Sequence, residues 1–228
     1  MRFPIVVSLL ALAVLGCSSD SPTGSCCTTG DRTVRVVNAF GGPVDVLIDG
    51  DLAIAALASG VVDTAHTVDG SHTLTFRPAG RSPSVSQPIT AGAGVLNTIA
   101  AVRASSGAVA AAALDDTGSV VPAGATKLRV LHLAPNAGEL QVYRTQPDYQ
   151  TPVSWQFPFT YQAQPTALSA PFYQSTVGTW EVRIWQTPTD ASGWATAPVR
   201  VVLPLASGEK RTILMLDDPA GGVRVEVI

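Results

Sequence analysis

From Thr33 onward the chain reads as short runs of β-branched and aromatic residues. Clusters of Gly, Pro, Asp and Ser punctuate them roughly every 8–12 residues, the spacing of strands in a two-sheet protein. No stretch sustains a helical period, so strands are predicted throughout. In the first half they fall at Val34–Val37, Val44–Ile48, Leu52–Leu57, Ser71–Arg77, Ser84–Ile89 and Val95–Val102. Val44, Val46 and Ile48 alternate with Asp45 and Leu47, and Asp49-Gly50 follows as a turn. His72, Leu74 and Phe76 share one face of their strand, and Thr73, Thr75 and Arg77 the other. Ala108–Leu114 could be helical by propensity alone, but its counterpart in the second half of the chain argues for a strand.

That counterpart belongs to a repeat. Leu128-Arg129-Val130-Leu131-His132-Leu133-Ala134-Pro135 echoes Val34-Arg35-Val36-Val37-Asn38-Ala39-Phe40. In both, apolar residues bracket an Arg and a turn-forming loop follows. Gly178–Trp185 mirrors Gly70–Arg77, with Trp180, Val182 and Ile184 on the inner face. Gly208–Ile213 mirrors Gly94–Ile99, with Thr212 on Thr98, and Val223–Ile228 aligns with Ala108–Leu114. Three landmarks in one order point to a duplicated unit. About seven strands per unit predict an all-β chain of two tandem immunoglobulin-like β-sandwich domains, though the Cys–Trp–Cys hallmark of true immunoglobulin domains is not there.

Composition narrows the class. Hydrophobic residues make up 46% of the 228, enough for a packed core. Charged residues are 14% and the net charge is −3. With lysine confined to Lys127 and Lys210, the chain lacks the clustered cations that nucleic acid or anionic lipid requires. Met1-Arg2 and the apolar run Ile5–Leu15 fit a secretory signal, too short to span a bilayer, for which about 20 residues are needed. The run ends Val14-Leu15-Gly16-Cys17, which resembles the bacterial lipoprotein signal. That resemblance implies cleavage before Cys17, acylation of Cys17 and, with Ser18 next, sorting to the outer membrane. Cys26 and Cys27 then sit in a Ser/Thr/Gly-rich tether, so no disulfide framework is expected in the folded region.

The pieces Val34–Ala39, Val44-Asp45-Val46 through Gly50, and Gly70–Gly80 resemble the DUF4397 family of bacterial secreted or lipid-anchored β-domains, and Leu128–Pro135 and Gly178–Trp185 resemble it again. The family's usual His-Ala-Ser-Pro becomes Asn38-Ala39-Phe40 in the first unit and His132-Leu133-Ala134-Pro135 in the second. These motifs are structural and imply no catalytic residues. The expected organisation is a signal peptide over 1–16, a tether over 17–31, a first sandwich over 32–117, a linker over 118–125 and a second sandwich over 126–228.

Candidate chemistry is sparse. His66, His72 and His132 lack metal-ligand spacing. His72 takes the slot matched by Trp180, a packed or boundary position, and His132 is placed to fix its loop by a hydrogen bond. No Gly-x-Ser-x-Gly elbow occurs. Asp115-Asp116 and Asp217-Asp218 read as strand ends, because neighbours on a strand point to opposite faces. Asp45, Asp49 and Asp51 gather at one turn without a calcium-loop pattern. No metal and no cofactor is expected.

Of the fourteen aromatic residues, eleven fall in the second unit. Many of them, Trp155, Phe157, Phe159 and Tyr161 among them, lie in its long insertion. They would fill a larger core or form a platform for a sugar or protein partner. Trp155, Trp185 and Trp194 are the candidate ligand contacts. The expectation is a non-enzymatic envelope lipoprotein, anchored to the membrane through Cys17, with a protein or glycan ligand or a spacer role. The alternative is a carbohydrate-binding accessory or hydrolase of the cell envelope.

Overall fold

The computed structural model describes residues 30–79, 83–93, 95, 97–114, 120–145, 147, 153–159, 167–168, 172–186 and 197–228. They form seventeen strands and four sheets. The first half supplies β1 (Arg32–Ala39), β2 (Val44–Ile48), β3 (Asp51–Leu57), β4 (Val62–Thr67), β5 (Gly70–Pro78), β6 (Val85–Ala91), β7 (Asn97–Arg103) and β8 (Val109–Leu114). The second supplies β9 (Ala125–His132), β10 (Leu140–Thr145), β11 (Val153–Phe159), β12 (Ala167–Leu168), β13 (Tyr173–Thr176), β14 (Gly178–Gln186), β15 (Val199–Leu205), β16 (Lys210–Asp217) and β17 (Val223–Val227).

Sheet I has the order β4-β1-β7-β8-β12 and sheet II the order β3-β2-β5-β6. Sheet III runs β13-β9-β16-β17 and sheet IV runs β11-β10-β14-β15. Strand for strand, I corresponds to III and II to IV. The parallel pairs β1–β7 and β9–β16 correspond as well, Arg35 facing Thr98 and Arg129 facing Thr212. Only β12 breaks the match. It comes from the long insertion of the second half, yet it lies parallel to β8 in sheet I.

Three apolar cores separate the sheets into layers in the order II, I, III, IV. The first unites Val34, Val36, Ile99 and Ala111 of sheet I with Val46, Leu74, Phe76 and Ile89 of sheet II. The third unites Val130, Ile213 and Met215 of sheet III with Val142, Val182 and Ile184 of sheet IV. Between them a second core joins the opposite faces of sheets I and III: Val37, Ala100, Val102, Ala110 and Ala112 meet Leu131, Leu133, Leu214 and Leu216. Four buried leucines at about 1.5–3 kcal/mol each contribute on the order of 10 kcal/mol of apolar transfer. That is enough to hold the halves together, whereas lightly packed domains move independently.

This middle core explains the patterning. Strands buried on both faces lose their alternation and read as continuous apolar runs. Every residue of β9 is buried, as is nearly all of β8. The alanines of β8 keep its two faces thin, Ala110 and Ala112 toward sheet III and Ala111 toward sheet II. By contrast β2 and β5, which border solvent on one side, alternate as predicted. Among the described residues the first half carries one strand more than the seven expected and the second half two more, β12 among them. In the first half the extra strand is β4, an edge strand whose only buried side chain is Ala65. In the second half, Glu181 and Arg183 sit on the face of β14 opposite Val182 and Ile184 and are buried too, so that face is not the open polar surface its sequence suggests.

The halves also touch through backbone. Gly60, with φ +77°, lies where an added Cβ would come within 2.5 Å of the Asp217 carbonyl oxygen. Gly50, with φ +93°, has open space around it. Gly50→Ala therefore meets only the left-handed backbone penalty, about 1–3 kcal/mol. Gly60→Ala meets that penalty and a main-chain collision across the interface, and in thermal melts it should lower Tm by clearly more than Gly50→Ala does.

Candidate functional site

The loops after β1 and β9 come together at one end of the middle interface, and each is held by a side chain at the end of its strand. Asn38 and His132 occupy corresponding positions, three residues beyond the Arg35–Thr98 and Arg129–Thr212 pairs. The Asn38 amide donates to the carbonyls of Gly42 (2.8 Å) and Leu57 (2.7 Å), and its Oδ1 accepts from the Phe40 N–H (3.0 Å). His132 repeats the scheme with a ring. Nε2–H donates to the Gly138 carbonyl (2.5 Å), and Nδ1 accepts from the Ala134 N–H (3.2 Å). Accepting at Nδ1 requires a neutral imidazole. Burial favours the same state, pushing the His132 pKa below its ordinary value. The loop-fixing bond expected of His132 is present.

A chain of polar contacts crosses between the two loops. Arg103, at the end of β7, donates through Nε to the Phe40 carbonyl (3.1 Å) and through its guanidinium to Asn136 Oδ1 (3.1 Å). Asn136 in turn donates to Asp217 from its backbone N–H (3.2 Å) and its side-chain amide (2.8 Å). Around this chain lies a cleft of about 440 Å³, lined by Gly41, Pro43, Ser59, Asn136, Asp217 and Asp218 among others. It draws on both halves of the chain. Sequence spacing carries no sign of it, because Arg103, Asn136 and Asp217 are far apart along the chain. Asp218 accepts from the Ala220 N–H (2.8 Å), so the pair does close a strand end as expected, while also edging the cleft.

The other titratable candidates are turn fasteners. Asp45 Oδ1 accepts from the Ala56 N–H (2.9 Å), and its Oδ2 accepts from Arg77 (2.9 Å). Ala56 has φ +46° at an irregularity in the β2–β3 ladder, so Asp45 clips a bulge. The Ala56 N–H and Arg77 hold the Asp45 carboxyl below the usual range. Asp49, at φ +53° in the β2–β3 turn, accepts from the Thr73 N–H (2.7 Å) and pairs with His72 Nδ1 (2.7 Å). His72 Nε2 meets the Val68 carbonyl (2.9 Å). With acceptors at both nitrogens the ring is suited to carry both protons, and the Asp49 carboxylate raises its pKa. His66 meets Asp31 at the exposed edge, 3.2 Å apart. Among the described residues no three His, Cys, Asp or Glu side chains are grouped to hold a metal ion.

The aromatic candidates divide. Cys17 and Trp194 lie outside the described residues. Trp155 lies within β11 and Trp185 within β14, where its Cα partner is Gln141; their side chains lie outside the description. Two aromatic contacts are new. The Arg129 guanidinium, 1% exposed, donates to Thr212 Oγ1 (2.9 and 3.1 Å) and lies 4.4 Å from the centre of the Phe172 ring. Arg144 lies 4.3 Å from the centre of the Trp180 ring and donates to Ser175 Oγ, tying sheet IV to sheet III. Both guanidinium stacks serve packing.

Two measurements test these assignments. His132→Leu leaves the Ala134 N–H and Gly138 carbonyl without their partner and should cost about 1–3 kcal/mol in urea unfolding. His132→Asn, which restores the residue used by the first half, should cost less. For His72 the folded pKa stands above the unfolded value of about 6.5. Its contribution is therefore complete below that pH and is lost as pH rises through the folded pKa. The stability gap between the parent chain and His72→Gln should be widest near pH 5.5 and narrow toward pH 9.

No curated protein matches this chain. A family model described as a domain of unknown function (DUF4397) matches residues 32–143, from β1 into β10, and supports over that stretch the family resemblance carried by Val34–Ala39, Val44–Gly50 and Gly70–Gly80.

Proposed function

We propose that the chain is a non-enzymatic lipoprotein of the cell envelope, built from two tandem immunoglobulin-like β-sandwiches and held at the outer membrane by lipid on Cys17. It serves there as a binding or structural module. The duplication is supported by the strand-for-strand correspondence of sheets I and III and of sheets II and IV. The sandwich reading is supported by the cores between facing sheets.

The observation that carries the structural role is the middle core. It joins two sandwiches into one stack rather than leaving them as beads on a tether. Such a stack suits a spacer or a rigid presenter of loops. The imidazoles of His72 and His132 and the carboxylates of Asp45 and Asp49 are engaged in fastening turns, which favours binding or spacing over catalysis. The lipobox Val14–Cys17 supports anchorage, and a doubly or triply acylated cysteine holds a protein at a membrane stably.

The second reading, a carbohydrate-binding accessory or hydrolase, draws on the cleft at the junction, with Asp217 and Asp218 on its rim. Candidate glycan contacts at Trp155, Trp185 and Trp194 belong to the same reading.

Metabolic labelling with a fatty-acid analogue should mark the parent chain and not Cys17→Ser, which should also leave the membrane fraction. Retention of label by Cys17→Ser would refute the anchor. A glycan array with the parent chain and the Asp217→Asn/Asp218→Asn variant separates the two readings. Glycan binding or turnover that the double substitution abolishes would replace the spacer reading by the second.

A further inference from the structure

The outer edge of sheet III is β17. Thr212 and Ile228 exchange both of their backbone hydrogen bonds, at 2.7 and 2.9 Å, and the Asp218 N–H donates to the Gly222 carbonyl at 3.1 Å. In an antiparallel ladder such bonded pairs recur at every second residue. With Leu214 facing Glu226 and Leu216 facing Arg224, the even-numbered residues of β17 direct their main-chain groups to β16. The N–H and C=O groups of Val223, Val225 and Val227 therefore point out of the sheet. Among the described residues no strand lies beyond them.

The corresponding edge of sheet I is treated differently. There β8 is covered by β12, Ala167 against Ala113 and Leu168 against Leu114. Leu114 faces Thr98 as Ile228 faces Thr212. The two edge strands also differ in burial: Val109 and Ala111 of β8 are 8% and 2% exposed, whereas Val223, Val225 and Val227 are only half-buried against the third core.

We propose that β17 pairs with β17 of a second copy of this chain, antiparallel about a two-fold axis through Val225. The run Val223-Arg224-Val225-Glu226-Val227 is self-complementary in that arrangement. Val225 faces Val225 of the second copy and Val223 faces Val227, all of them residues whose main-chain groups point outward. Arg224 then faces Glu226 of the second copy, and Glu226 faces Arg224. These are non-hydrogen-bonded positions, where cross-strand side chains approach most closely, at about 4.5 Å between Cα atoms. Within one chain Arg224 and Glu226 already pair along the strand, with side chains 29% and 38% exposed, so each has room for a second opposite charge.

Charge also selects the register. An axis through Arg224 would set Arg224 against itself, and an axis through Glu226 would set Glu226 against itself. The closed two-fold contact uses the β17 edges of both copies, so it does not propagate through β17 into a fibre. It joins two four-stranded sheets into one continuous sheet.

Sedimentation equilibrium of the full chain in density-matched detergent tests this pairing. The parent chain should form a dimer. Arg224→Glu alone and Glu226→Arg alone each turn both cross-strand charge contacts repulsive and should weaken dimerisation about tenfold or more. The double substitution Arg224→Glu/Glu226→Arg should restore the dimer, and so should mixing the two single variants, because only their heterodimer sets opposite charges face to face. Val225→Pro gives a second route should a charge variant fail to fold. It removes an N–H that makes no bond among the described residues, and proline is tolerated at such edge positions, so the variant should be folded and monomeric. A monomeric parent chain, or dimers that persist unchanged in the single charge variants and in Val225→Pro, would overturn the proposal.

Discussion

Burial of sheets I and III against one another is the constraint on which the other features of this chain depend. A sheet with one wet face can alternate apolar and polar residues. A sheet sealed on both faces cannot, and a polar group it retains is costly unless it finds a partner inside the protein. β9 shows the outcome. Leu128 and Val130 face one core, Leu131 faces another, and Arg129 is kept among them by Thr212 and the Phe172 ring. β8 meets the same demand with alanine, whose small side chain lets neighbouring layers approach on both sides.

Polar chemistry is consequently pushed to the strand ends. Asn38 and His132 stand where β1 and β9 leave the layered interior, and each closes the loop that follows by accepting one main-chain N–H and donating to main-chain carbonyl oxygen. An amide and a neutral imidazole can do the same work because each sets an acceptor atom and a donor atom at similar separation, the amide nitrogen carrying a second N–H that reaches Leu57 as well. Arg103 and Asn136 then tie the two closed loops to each other, and Asp217 anchors the tie in sheet III. The cleft is the space left over where these loops meet.

Much of the architecture is legible in the sequence, and its limits have physical causes. The strands of sheet II stand out because one side of that sheet is solvated, so Val44–Ile48 and Gly70–Pro78 alternate cleanly. The strand character of β8 is recoverable only through its counterpart Val223–Ile228, since an alanine run carries no period of its own. β4 escapes notice because an edge strand with one buried alanine has almost no pattern to read. The boundary position of His72 and the loop-fixing role of His132 are foreseeable from their place in strand and loop, but the bond of His72 to Asp49 is not. The Arg103–Asn136–Asp217 chain is not, because it exists only once the two halves have docked. The burial of Glu181 and Arg183 is hidden likewise, for nothing in an alternating run says that its polar face will be covered.

The parallel contact of β12 with β8 has a bearing on biosynthesis. A chain grows from its N-terminus, so β1 to β8 can emerge and fold before residues 167 and 168 exist. Until then the nascent first half carries a bare strand edge and, beside it, the greasy flank of Val37, Ala100 and Ala112. Both are the kinds of surface that draw unfolded chains into aggregates or summon chaperones. The half that emerges first is thus complete in its own strands yet unfit to be left alone, and its shelter arrives only with the half that follows.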